Sequence, residues 1–130
     1  MKKYLGILLV IVAVFMFSGC GKDEAYKEYA GLYTEEYENL VGDPDTKTPG
    51  DGWTFELKED GTGTSKRNGA EYNLEWHFEG DKLENGRHVV IEEKFAGITN
   101  TYTGNIDGKT IDVYNGDQSN AFTLHVVFKK

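Results

Sequence analysis

One cysteine and three histidines, together with a glutamate on an otherwise apolar phase, are the residues of this chain whose types and placing invite chemistry. The glutamate is the sharpest of them. Along Val89, Ile91, Glu93, Phe95 and then Ile98, Asn100, Tyr102, two polar residues interrupt positions that alternation assigns to a buried face. If Ala96-Gly97 is a two-residue turn, Phe95 faces Ile98 and Glu93 faces Asn100. A buried Glu–Asn pair is costly without further partners, and such a pair marks a ligand contact or a perturbed acid. Glu93, Asn100 and the neighbouring Tyr102 are therefore the candidate ligand-binding residues. The alternative is a bulge near Glu92-Glu93, or a longer loop, that turns Glu93 to solvent; Ala before Gly is poor chemistry for a primed turn and favours it. His77, His88 and His125 are scattered without a spacing that would converge on a metal. Asp43, Asp45 and Asp51 offer hard oxygens, but D-P-D-T-K puts Lys47 where a calcium loop needs a ligand and has no closing Glu. No metal and no cofactor are expected. The chain has no nucleophile elbow, no Cys–His pair, no H-E-x-x-H and no phosphate loop. A binding protein rather than an enzyme is expected, the alternative being an envelope hydrolase that uses interior or rim carboxylates.

Cys20 takes its meaning from what precedes it. Met1, Lys2 and Lys3 lead into the uncharged stretch Tyr4 to Phe17 (YLGILLVIVAVFMF), which ends at Ser18-Gly19-Cys20. The run is short of the ~20 apolar residues a spanning helix needs and has the layout of an export signal. F-S-G-C at 17 to 20 resembles the lipobox of bacterial lipoproteins, although Phe17 stands where Leu is usual. The resemblance implies that residues 1–19 form a signal helix that is removed, and that Cys20 is diacylated as the first residue of the mature chain. An exported domain with one thiol has no intramolecular disulfide to form. Two acyl chains supply the double signal that stable anchoring needs. The expected location is the cell membrane, lipid-anchored on its extracytoplasmic face.

The whole chain carries a net charge of −8, and loss of residues 1–19 removes two lysines and no acid. Nucleic acid would be repelled by such a domain, as would anionic headgroups or wall polymers. The membrane is met through Cys20; the partners that remain are a small ligand or an envelope protein, with the domain itself a monomer.

Holding Glu93 and its neighbours in place requires a sheet, and the sequence from Trp53 onward is written as one. Residues 20–28 (CGKDEAYKE) are short and polar, and suit a tether. Tyr26, Tyr29, Tyr33, Tyr37 and Leu40 recur at helical steps, but Gly31 and the Tyr and Thr content favour a strand over 30–38 after a short helical turn at 23–29. Both prolines and three glycines fall in 41–52, which is expected to be a loop. Beyond it, Trp53, Phe55, Leu57; Tyr72, Leu74, Trp76, Phe78; Val89, Ile91, Phe95; Ile98, Tyr102, Ile106; Ile111, Val113; and Phe122, Leu124, Val126, Phe128 keep one apolar phase, with mostly polar residues between them. Asp60-Gly61, Asn68-Gly69, Gly80-Asp81, Asn85-Gly86 and Asp107-Gly108 punctuate them as turns, leaving Lys82 to Glu84 as a brief strand. About eight one-sided strands in a meander bury one face and lose their edges by closing. The expected fold is an all-β, small antiparallel up-and-down barrel over 29–130.

W-T-F-E-L-K-E-D-G-T-G-T (53 to 64), E-Y-N-L-E-W-H-F-E-G-D-K-L (71 to 83) and Y-T-G-N-I-D-G-K-T-I-D-V (102 to 113) resemble the small lipocalin-like domains found on many lipoproteins of Firmicutes. The resemblance implies a lipocalin-like barrel and an envelope address, and brings no functional residues with it. An eight-stranded barrel is either filled by its own side chains or holds one small ligand. The many rings of the inward set point to a filled core with a shallow mouth. Ligand contact would then fall to the end loops 42–52 and 115–120, which the anchor would hold close to the envelope.

Overall fold

The computed structural model describes residues 26–130. The signal segment 1–19, the lipidation site Cys20 and most of the tether 20–28 lie outside the described residues. A helical turn at 26–29 leads into nine strands: β1 (Gly31–Leu40), β2 (Asp43–Pro49), β3 (Thr54–Leu57), β4 (Thr62–Arg67), β5 (Ala70–Leu83), β6 (Gly86–Phe95), β7 (Ile98–Ile106), β8 (Thr110–Tyr114) and β9 (Leu124–Lys129). All pairs are antiparallel, and β1, β3, β4, β5, β6, β7, β8 and β9 follow one another around a barrel that the β1–β9 pairing closes. The up-and-down eight-stranded barrel expected from alternation is the fold.

β1 makes closure work by changing partners along its length. Residues Gly31 to Thr34 pair with β3, residues Thr34 to Leu40 pair with β9, and Tyr37 to Leu40 also pair with β2. An irregularity between Glu35 and Tyr37 shifts the register against β9, so that Tyr33 and Glu35 are buried inside while Tyr37 and a likewise buried Asn39 line an outer groove. β2 is the ninth strand and corrects the expectation of an irregular loop over 41–52. Its two prolines do not prevent pairing because it is an exposed edge strand with only one neighbour, where a missing N–H costs little.

A second correction concerns Gly80-Asp81, expected as a turn. The chain runs through it as part of β5, with a register shift between Glu79 and Leu83 and Gly80 at φ 72°. Glycine accepts that conformation without strain, so the dipeptide makes a bulge, Lys82 and Leu83 continue β5 rather than forming a strand of their own, and the chain turns at 84–85, next to the expected Asn85-Gly86. At 96–97 the reverse holds. Ala96 (φ 50°) and Gly97 (φ 82°) form a two-residue turn, and the ladder beyond it is unbroken from Phe95↔Ile98 through Glu93↔Asn100 to Arg87↔Ile106.

Inside the barrel the rings pack edge to face, an arrangement favoured by their quadrupoles. Trp53 meets Phe55, Tyr102 and Phe128 at centroid distances of 5.3, 5.6 and 5.0 Å, and Phe55 stacks on Phe128 at 4.3 Å. Tyr26, Tyr29 and Tyr33 join this core. Phe95, Ile98 and Phe122, expected inside, are exposed at 58%, 62% and 83%. For the first two the cause is topological: β8 pairs with β7 only from Thr103 to Ile106, so the β6–β7 hairpin overhangs the barrel rim. Phe122 lies in the connection before β9 and belongs to no strand.

Candidate functional site

The two ends of the barrel are built from different chemistry. At one end, where the 58–61, 84–85 and 107–109 turns lie, the helical turn folds across the opening. Tyr26 packs 4.4 Å from Trp76 and 5.0 Å from Phe78, and Tyr29 lies 5.2 Å from Phe78. The Tyr33 hydroxyl donates to Tyr29 O at 2.7 Å, and Trp76 Nε1 donates to Lys58 O and Thr62 O. Arg87, opposite buried Ile106 on the inward phase of β6, covers Phe78 with its guanidinium 4.4 Å from the ring. Burial pushes the Tyr33 hydroxyl far above its ordinary range. This end is shut by rings.

The other end, where the 68–69 and 96–97 turns and the 115–123 connection lie, carries a polar floor. β3–β6 registers place Phe55 beside Ser65, Ser65 beside Tyr72, and Leu74 beside Glu93, so that Ser65 and Glu93 enter one layer of the interior. Trp53 Nε1 donates to Ser65 Oγ at 3.0 Å, and Ser65 Oγ donates to Glu93 Oε2 at 2.5 Å. Asn100 Nδ2 donates to Glu93 Oε1 at 3.2 Å, and an Arg67 guanidinium nitrogen stands 3.7 Å from the same oxygen. The guanidinium lies 3.6 Å above the Trp53 ring. Glu93 is 3% exposed with both oxygens accepting, which is the condition under which a buried carboxyl is tolerated.

Each predicted site residue is thus accounted for. Glu93 faces inward rather than being turned out by a bulge, Asn100 bonds to it from the rim, and Tyr102 is buried beside Trp53 and Phe55. Burial pushes the Tyr102 hydroxyl above its ordinary range, and the Glu93 charge adds to that, against opposing contributions from Arg67 and Asn115. Sequence reasoning missed Ser65 and Arg67. The signal was present in G-T-S-K-R (63 to 67), whose alternate residues continue the inward phase of Phe55 through the Asp60-Gly61 turn, but no apolar residue marks that phase.

Above the floor opens a cleft of about 550 Å³ lined by Arg67, Asn68, Ala70, Tyr72, Glu93, Phe95, Ile98 and Asn100. Tyr72 and Phe95 meet edge to face at 4.9 Å on its side. The cleft therefore offers a hydrogen-bonding base under an apolar rim. A smaller cavity of about 200 Å³ shares Arg67 and Asn68 as a wall and is bounded by Glu35, Glu38, Thr48, Pro49 and Asp51.

A third hollow, about 410 Å³, lies on the outer face beneath β2. There His125 Nε2 sits 2.6 Å from Asp112 Oδ1 and its Nδ1 2.8 Å from Asn39 Oδ1, while the ring stacks on Tyr114 at 4.6 Å. Lys47 Nζ lies 4.5 Å over the Tyr37 ring. The mouth differs from this groove in setting a buried carboxyl beneath exposed apolar side chains, Glu93 under Phe95 and Ile98. His77 and His88 are exposed. Asp43 and Asp45 lie along exposed β2, and among the described residues no three His, Cys, Asp or Glu side chains gather to hold a metal.

No protein family, curated protein or solved structure matches the chain.

Proposed function

We propose that this protein is a lipid-anchored envelope lipoprotein whose lipocalin-like barrel binds a small amphipathic ligand at its open end. The observation that carries the reading is the mouth cleft itself: buried, hydrogen-bonded Glu93 and Ser65 with Asn100 and Arg67 at the base, and exposed Phe95 and Ile98 at the edge. Binding clefts combine apolar walls with a few fixed polar groups in this way. The floor is also pre-organised, since Ser65, Glu93 and Trp53 hold one another without a ligand.

The signal-like residues 1–19 and F-S-G-C support an anchor on Cys20. The helical turn at 26–29 enters the barrel at its closed end, and the six residues 20–25 reach at most ~20 Å even when fully extended. An anchor there favours a mouth directed away from the bilayer, the opposite of the orientation expected from the sequence. A ligand would then arrive from the aqueous side. Replacing Cys20 by Ala should move the protein from the detergent phase to the aqueous phase; an unchanged partition removes the anchor from the account.

The binding reading is tested by native mass spectrometry of the full chain purified in mild detergent. A noncovalent adduct of small mass is expected on the wild type and its loss on Glu93→Ala. If the purified protein instead turns over an envelope substrate in a Glu93-dependent way, the hydrolase reading replaces it.

A further inference from the structure

We propose that the small cavity bounded by Glu35, Glu38 and Asp51 is a site for the primary ammonium group of an organic amine. It adjoins the ligand cleft across Arg67 and Asn68 but stands on other residues. Glu35 is 7% exposed, and its Oε2 is buried without a hydrogen-bond partner. A buried acceptor left unsatisfied is unfavourable and calls for a donor. Three acids line the cavity, from β1 (Glu35, Glu38) and the β2–β3 connection (Asp51), and the one cation lining it is Arg67 of β4. Arg67 is already engaged, stacked over Trp53 and beside Glu93.

The walls are fixed. Glu35 N–H donates to Trp53 O at 2.8 Å, Gly50 N–H donates to Glu36 O at 2.9 Å, and a Cβ on Gly50 would fall 2.0 Å from Glu35 O. The connection is therefore pressed against β1 and cannot yield to a bulkier residue. An ammonium carries three donors and no acceptor, which suits a donation to the orphaned Glu35 Oε2 in a cavity whose other acids, Glu38 and Asp51, favour positive charge. Burial first, and then the hydrogen bond and charge of Glu38, push the Glu35 carboxyl up to about 7, against a smaller opposing effect of the Asp51 backbone N–H. An incoming ammonium would stabilise the charged form, and the Glu35 proton would leave to solvent.

The test is calorimetric titration of the full chain in detergent with n-butylamine, which is fully cationic near neutral pH. Millimolar binding is expected, roughly tenfold tighter at pH 8 than at pH 6, because a carboxyl titrating near 7 is mostly charged at the first and mostly neutral at the second. Glu35→Gln should weaken binding at least tenfold at pH 8 and erase the pH difference, and n-butanol should not bind. Glu38→Gln, a second and less buried change, should weaken binding several-fold. No heat beyond dilution in the wild type, or equal affinity in Glu35→Gln, overturns the proposal. Neither result touches the adduct and Glu93→Ala experiment on the cleft.

Discussion

The closed end and the open end of this barrel use residues of similar size to opposite effect. At the closed end Tyr26, Tyr29, Trp76 and Phe78 pack ring against ring, while the Trp76 indole N–H and the Tyr33 hydroxyl donate to nearby backbone carbonyls. At the open end Trp53 directs its indole N–H inward to Ser65, which passes the chain of hydrogen bonds to Glu93, while Phe95 and Ile98 stand in solvent. The difference is what supports placing the proposed ligand site at the open end. Polar groups buried with satisfied partners and apolar groups exposed at their rim both run against simple burial, and consistency breaks of that kind gather at functional sites.

The largest expected effects test whether both ends carry the fold. Trp76→Ala and Trp53→Ala should each cost ~3 to 5 kcal/mol in urea unfolding followed by circular dichroism, since both rings are at most 2% exposed and their loss opens a cavity. A cost below ~1 kcal/mol at Trp53 would mean that the mouth floor is not packed as described. Next in size is Ser65→Ala. It should cost ~1 to 3 kcal/mol because it strands both the Trp53 N–H and a Glu93 oxygen, far more than removing an isolated hydroxyl would.

The rim should behave in the contrary manner. Phe95→Ser combined with Ile98→Ser is expected to change stability by less than ~0.5 kcal/mol yet to remove the adduct in native mass spectra. A large destabilisation would assign these residues to the core and end the contrast. The smallest effect concerns pH. The Glu35 carboxyl, raised in the fold to about 7 from 4.5, binds its proton more tightly when folded. Its contribution is full below the ordinary value and is lost as pH rises through about 7. Wild type should therefore lose ground to Glu35→Gln between pH 5 and pH 8, read as a change in the gap between their thermal midpoints. A gap independent of pH would show that Glu35 is not so raised.

Much of this was legible in the residue order. Alternation from Trp53 onward and the Asn68-Gly69 and Asp107-Gly108 turns point to the barrel, and Glu93 and Asn100 stand out because each interrupts an apolar phase, although the poor Ala96-Gly97 turn favours a bulge that would have put Glu93 in solvent. The rest escaped for physical reasons. Pairing of β2 arises from its position beside the bent second half of β1, a tertiary circumstance that Pro44 and Pro49 conceal. The exposure of Phe95 and Ile98 depends on how far β8 extends along β7, and strand length beyond a neighbour has no local signature. Ser65 and Arg67 read as surface residues because polar types on an inward phase look the same as a solvated strand. The Ala96-Gly97 turn formed against its propensity, with Ala96 at positive φ, because the ladder on either side holds it.

The two tryptophans, one at each end, make the central claim measurable in a single format. Trp76→Phe leaves Trp53 at the mouth as the sole reporter, and Trp53→Phe leaves Trp76 at the closed end. Both variants, as full chains, would be titrated with a small-molecule extract of bacterial envelopes while tryptophan emission is recorded. The account predicts a saturable change in the Trp53 reporter and none in the Trp76 reporter. A silent Trp53, or an equal response from both, would contradict binding at the open end.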